Sequence, residues 1–211
     1  MGEMKILHTS THKIESPITL EEIKDHLQIT RGETGSDELL KGLRAASVEM
    51  AQNITGRKLM LQKWTVYLDN WPSGNELELP FTPLASSGSV AGTSSIPTTG
   101  IYYTDSTNGS TTLGSTAWSY DAVSEPPRIV LGNDESWPTD ILHHNNPIAI
   151  RGTYGYSASS EVPQSIKQAM LLMIGHWYEN RENTIIGAGQ VVHEIPMGAK
   201  SLLEMYRVKW F

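Results

Sequence analysis

The sequence predicts an α+β fold, a small helical bundle built from both ends of the chain and interrupted by an inserted antiparallel β unit. Apolar residues recur at helical spacing over about 19–28, 36–55, 163–182 and 199–207. Between those stretches the apolar period drops to two, the mark of half-buried strands. A length of 211 residues suits one domain carrying a sizeable insertion. Residues 1–58 and 160–211 are expected to form the helical domain with a C-terminal arm, and residues 59–159 the β-rich unit.

The first helix is marked by Thr19 and Glu22, spaced as a reciprocal capping box, with Ile18 and Ile23 at staple positions. Leu20, Ile23 and Leu27 share one of its faces. Ser36 is expected to cap the second helix, whose first turn holds Asp37 and Glu38 against the positive end of the dipole. Leu39, Leu43, Ala46, Met50 and Ile54 make its apolar stripe, and Gly56 supplies a left-handed stop. Trp64, Val66 and Leu68 then alternate with Lys63, Thr65, Tyr67 and Asp69. Trp71-Pro72-Ser73-Gly74 reads as a turn, and a short second strand covers 76–79 before Pro80 and Pro83.

Residues 86–116 contain 21 Ser, Thr or Gly out of 31, too few large apolar side chains for a core of their own. This stretch is expected to be an exposed β-hairpin or loop excursion, partly flexible unless a partner orders it, with Ile101, Tyr102 and Tyr103 as its strand-like, partner-facing part. Further strands are expected at 118–120, 128–131 and 148–154. Pro163 opens the last long helix near its first turn. Ile166, Met170, Met173 and Trp177 form one apolar stripe there, and Leu171, Ile174 and Tyr178 another. Such a helix needs cover from more than one side, from its own domain or from a neighbouring subunit. Residues 191–195 suit a strand or extended arm.

Composition narrows the chemistry. With no cysteine, disulfides, thiolate nucleophiles and Cys-based metal sites are excluded. A formal charge of −7 argues against a sequence-independent grip on nucleic acid, which requires Lys and Arg at the phosphates. No run reaches the ~20 apolar residues of a membrane-spanning helix, so no membrane partner is expected. Six Trp and eight Tyr against two Phe lean toward interface use.

His143-His144, and His8 with His12, lack metal-ligand spacing on a common helix face and read as loop histidines. His176 and Glu179 share a helix, but the His-Glu-x-x-His order is absent, so a structural histidine with a carboxylate partner is expected. Pairs such as Glu76 with Glu78 show no apolar pocket to split their pKa values. No phosphate-binding glycine loop or nucleophile elbow occurs. No catalytic residue, metal or cofactor is therefore expected. Trp210-Phe211 at the terminus either packs on the parent domain or anchors in a partner's groove.

Several segments, in order, resemble phage head-to-tail connector (adaptor, head-completion) proteins of long-tailed phages. They are Pro17-Ile18-Thr19-Leu20-Glu21-Glu22-Ile23-Lys24-Asp25-His26-Leu27, then Ile54-Thr55-Gly56-Arg57, then Val162-Pro163-Gln164-Ser165-Ile166-Lys167-Gln168-Ala169, leading into His176-Trp177-Tyr178-Glu179-Asn180-Arg181-Glu182. The likeness runs from 17 to 207, and the Ser/Thr/Gly-rich stretch departs from it. The resemblance implies a structural virion protein, not an enzyme, assembled in the host cytoplasm and resident in the neck below the portal vertex. It implies a ring, twelve-fold in the virion, that docks on the portal protein, meets the next neck or tail component and lines the DNA channel. By position it makes Lys200, Tyr206, Arg207, Lys209, Trp210 and Phe211 a portal-binding arm, and Met173, Trp177, Tyr178 and Arg181 intersubunit packing residues. Rival readings are a tail-completion or decoration protein whose β unit binds capsid or glycan, and a metal-dependent hydrolase using His176 and Glu179.

Overall fold

The computed structural model describes residues 5–8, 16–85, 99–180 and 196–209. The chain divides into a β unit of residues 1–13, 61–157 and 209–211 and a helical unit of residues 14–60 and 158–208.

The helical unit begins with α1 (Leu20–His26). The Thr19 hydroxyl accepts from the Glu22 N–H at 3.1 Å, and the Glu22 carboxylate accepts the Thr19 N–H at 2.6 Å, so the capping box forms in full. Ile18 and Ile23 are both buried. α1 ends before 28 because Gln28 adopts a left-handed conformation, φ 57°, which turns the chain. α2 (Asp37–Thr55) closes on Gly56, also left-handed at φ 71°, whose N–H reaches the Gln52 carbonyl at 2.9 Å. At its start Ser36 is already near-helical and its side chain makes no capping bond.

The face α2 buries is not the one its apolar spacing indicates. Leu40, Ser47, Val48, Ala51, Gln52 and Thr55 point inward, while Leu39 is 39% exposed, Ala46 is exposed and Leu43, Met50 and Ile54 are half-buried. The inward polar groups are satisfied close to home. Ser47 Oγ donates to the Arg44 carbonyl at 2.8 Å, Thr55 Oγ1 to the Ala51 carbonyl at 2.7 Å, and Gln52 Oε1 accepts the Leu59 N–H at 3.2 Å. Burying them therefore leaves no polar group stranded.

α3 (Gln164–Glu179) starts one residue later than expected, with Pro163 as its cap, and ends before 182. Ile166, Ala169, Met170, Met173 and Ile174 form its buried side. After Pro196, α4 (Met197–Glu204) buries Ala199 and Leu203; it begins and ends earlier than the expected 199–207. The stretch 191–195 lies outside the described residues.

The β unit holds two antiparallel sheets. One has the order β1-β2-β8-β4-β5, from β1 (Lys5–His8), β2 (Gln62–Leu68), β4 (Thr99–Thr104), β5 (Ser110–Thr112) and β8 (Ile148–Tyr154). The other has the order β3-β7-β6, from β3 (Glu76–Glu78), β6 (Trp118–Asp121) and β7 (Arg128–Leu131). β1 pairs with β2 in antiparallel register, so this part of the N-terminal stretch belongs to the β unit and not to the helical one.

Over its described part the stretch 86–116 forms a β-hairpin, β4 with β5, and is exposed from 106 to 116 apart from half-buried Leu113; the strand-like part at 101–103 is not free-standing. β4 lies beside β8 and Ile101 is fully buried, in a core shared with Val66, Leu68, Ile148 and Ile150 from the same sheet and Leu77 and Ile129 from the other. One apolar residue in a polar stretch is enough when neighbouring strands supply the rest of the cluster, each such side chain adding roughly 1.5–3 kcal/mol. Gly152 in β8 lets the Tyr154 ring fold close: a Cβ there would sit 2.9 Å from ring atoms of a residue that has no room to move.

Candidate assembly surfaces

The expected interface residues of α3 fall into two groups. Met173 is fully buried inside its own unit and has no surface to offer a neighbour, because its stripe is consumed by the bundle. Trp177 and Tyr178 are half-buried on the last turn, and Arg181 lies outside the described residues. His176 pairs with the side-chain amide of Asn180, 3.3 Å from Nδ1, in place of the expected Glu179 carboxylate. Asn180 also donates to the His176 carbonyl at 2.9 Å and so closes the helix. Among the described residues no three His, Asp or Glu side chains group to hold a metal, and no helix is long and apolar enough to cross a membrane.

The C-terminal segment is tied to its own unit as far as Val208. Arg57 Nε donates to the Tyr206 carbonyl at 2.7 Å, and the Val208 N–H donates to the Thr55 carbonyl at 2.8 Å. Both partners sit at the end of α2, where carbonyls have no helical donor of their own. Val208 is buried, Tyr206 half-buried, and Lys200, Arg207 and Lys209 exposed, with Lys200 Nζ 3.9 Å from Glu204. Trp210 and Phe211 lie outside the described residues.

In the β unit, Tyr102 and Tyr103 are half-buried on opposite faces of β4. The Arg151 guanidinium lies 4.5 Å over the Tyr102 ring. Tyr103 meets Trp71 edge-on at 5.7 Å, and Trp71 stacks on Trp137 at 5.0 Å and 10°. Trp71 and Trp137 thus cover one face of each other, with Tyr103 meeting Trp71 at an edge. Burial, then the nearby Asp140 carboxylate, raises the Tyr103 hydroxyl above its ordinary pKa. His143 is half-buried and His144 exposed in the loop before β8.

A surface that the apolar spacing does not reveal is the partly uncovered stripe of α2, where Leu43, Met50 and Ile54 are half-buried and Leu39 and Ala46 exposed. The signal for it is the competing set Leu40, Ser47, Val48, Ala51, Gln52 and Thr55, which takes the fully buried face and whose polar members are small or can bond near their own helix.

Residues 139–207 match the family model of phage gp6-like head-tail connector proteins. No curated protein matches the chain in sequence. In fold it is similar to a chain from the neck of an empty gene transfer agent particle computed with C6 symmetry, with TM-score 0.74 and 20% identity, covering 98% of this chain and 97% of that one. It is also similar to a chain from the neck of the native particle computed with C12 symmetry, with TM-score 0.70 and 19% identity over 98% and 97%. A third likeness, TM-score 0.69 and 17% identity over 98% and 96%, is to a chain from the native virion of such a particle. The chain thus shares, nearly end to end, the fold of chains found in phage-like particles, and over 139–207 it matches the gp6-like head-tail connector proteins.

Proposed function

We propose that this protein is a structural component of a phage or phage-like particle, a ring-forming connector in the neck that docks on the portal and lines the DNA channel. One observation carries the assembly reading: α2 leaves Leu43, Met50 and Ile54 half-buried and Leu39 exposed along the flank of its buried face. A self-sufficient bundle buries such an apolar stripe in full. Leu39, Leu43, Met50 and Ile54 on one face, with half-buried Trp177 and Tyr178 on α3, give a neighbouring copy apolar surface to cover. Support for the location comes from the fold shared with neck chains and from the family match. The net charge of −7 suits a channel in which DNA slides without sticking. Docking on the portal falls to the exposed Arg207 and Lys209 and to the residues after them, since the chain is held to its own unit up to Val208.

Replacing Leu43 and Met50 by Asp tests the assembly reading. The variant is expected to fold, with wild-type circular dichroism, and to lose ring formation both alone and on purified portal rings. Rings formed as readily as by the wild type would exclude α2 from the contact.

A further inference from the structure

We propose that the β unit carries both halves of a head-to-tail contact, in which the basic outer face of its five-stranded sheet docks on the acidic outer face of the next copy's three-stranded sheet. The inference rests on the ring reading above and names a second surface through which such a ring closes.

Residues directly opposite on paired strands point to the same side of a sheet. Lys5, Tyr67, Ala149, Tyr102 and Thr112 form one such row; Thr65 and Arg151 form the next, and Lys63 with Thr153 the third. The alternate residues Val66, Ile101, Ile148 and Ile150 lie in the core, so these rows make the outer face, on which Lys5, Arg151 and Thr112 are exposed, Lys63, Tyr67, Tyr102 and Ala149 half-buried, and Thr65 and Thr153 buried. Among the described residues it holds three cations, two of them exposed, and at its rim the carboxylate of Asp69, 3.6 Å from Lys5 Nζ. Arg151 is exposed and braced over Tyr102, which keeps its planar donor fork at the surface.

The other sheet is the electrostatic complement. Glu78, Arg128 and Asp121 form one outer row, and Glu76, Val130 and Ser119 the next. Leu77 and Ile129 point the other way, into the core. Arg128 is enclosed by carboxylates, with Nη1 2.8 Å from Glu76 and Nε 3.2 Å from Asp121. Two carboxylates thus flank one cation, and Glu78 adds exposed negative charge beside them.

Both inner faces share one core, so the two outer faces look in opposite directions. That is the arrangement a cyclic assembly needs, because a heterologous contact joins two different patches on each copy. A two-fold dimer through either face would set like charges together. DNA is the competing occupant of the basic face. Three cations in a chain of net charge −7 offer it little, whereas the acidic partner face is present on every copy.

The test uses the full chain and three charge variants: Lys5→Glu with Arg151→Glu, Ser119→Lys with Glu78→Lys, and all four together. Assembly midpoints are read by mass photometry at low and high salt. Each reversal pair is expected to raise the midpoint roughly tenfold or more at low salt, and the fourfold swap to recover to within about threefold. Recovery also shows that the substitutions leave the fold intact. The chain has no cysteine, so Ala149→Cys with Ser119→Cys is a second readout: oxidation is expected to give a ladder of oligomers only when both are present in one chain. Wild-type rings that persist unchanged through every reversal overturn the face assignment and leave the ring reading standing. Absence of wild-type rings, alone and on portal rings, removes both. Loss of retention on double-stranded DNA in Lys5→Glu/Arg151→Glu, with assembly unchanged, overturns the proposal in favour of nucleic acid.

Discussion

Replacing Lys24 by Met should destabilise the helical unit far more than removing any exposed ion pair. Lys24 is only 3% exposed, and its ammonium lies 2.5 Å from the Glu33 carbonyl, 3.3 Å from the Arg31 carbonyl and 2.5 Å from Asp37 Oδ1. The contact with Asp37 has ion-pair distance, although its angle falls outside hydrogen-bond geometry. This one cation fastens the loop between α1 and α2 to the first turn of α2. Removing one partner of a buried pair costs about 3–5 kcal/mol. Asp37 retains 21% side-chain exposure and so keeps some water, which sets the expected loss near the bottom of that range, about 3 kcal/mol. For a chain of this size that corresponds to a fall in Tm of roughly 6–12 °C. Thermal and urea unfolding would measure it, with Lys41→Ala as control. Lys41 makes an exposed pair with Glu38 at 2.7 Å, which solvent screens, so its loss should barely change stability. Adding Asp37→Asn to Lys24→Met should restore part of the loss by removing the stranded carboxylate. A loss below about 1 kcal/mol, or one equal to the Lys41 control, would refute the assigned role.

Two further outcomes follow from the β unit. Gly152→Ala would place a methyl 2.9 Å from the fully buried Tyr154 ring and should cost about 1–3 kcal/mol in urea unfolding, while Gly74→Ala, with open space around it, should stay within about 0.5 kcal/mol. Asp121 is held down to about 2 by the Ser124 hydroxyl first, then by the backbone N–H groups of Ser124 and Val123 and by Arg128. Because its folded pKa lies below the unfolded value of about 3.9, its stabilising effect is complete above that value and fades as pH falls toward 2. Tm measured from pH 6 to 2 should therefore drop less steeply in Asp121→Asn, and identical acid profiles would contradict the assignment.

Local chemistry was the legible part of the fold. Thr19 with Glu22, Gly56, the strand 62–68 and the strand 128–131 each signal their structure within a few residues, and each forms, although the alternation of 62–68 is broken at buried Thr65. What lay hidden depends on distant partners. β1 is a strand because β2 supplies its hydrogen bonds, and Ile101 is core because β8 and the second sheet close over it. The α2 stripe is legible but its burial is not: helical spacing fixes which residues share a face, whereas the bundle decides which face it takes, and it leaves Leu43, Met50 and Ile54 half-buried. Of the candidate site, the segments were legible and the individual residues less so. Met173 belongs to the core, and His176 found the Asn180 amide one turn on, a pairing that no carboxylate-based reasoning would choose.

The mass of the assembled species tests the central claim most directly. Light scattering or mass photometry on the purified chain, alone and with purified portal rings, should show a closed oligomer near twelve times the 23.3 kDa chain, in solution or on the portal. A 23.3 kDa monomer at every concentration that also fails to join portal rings would contradict it.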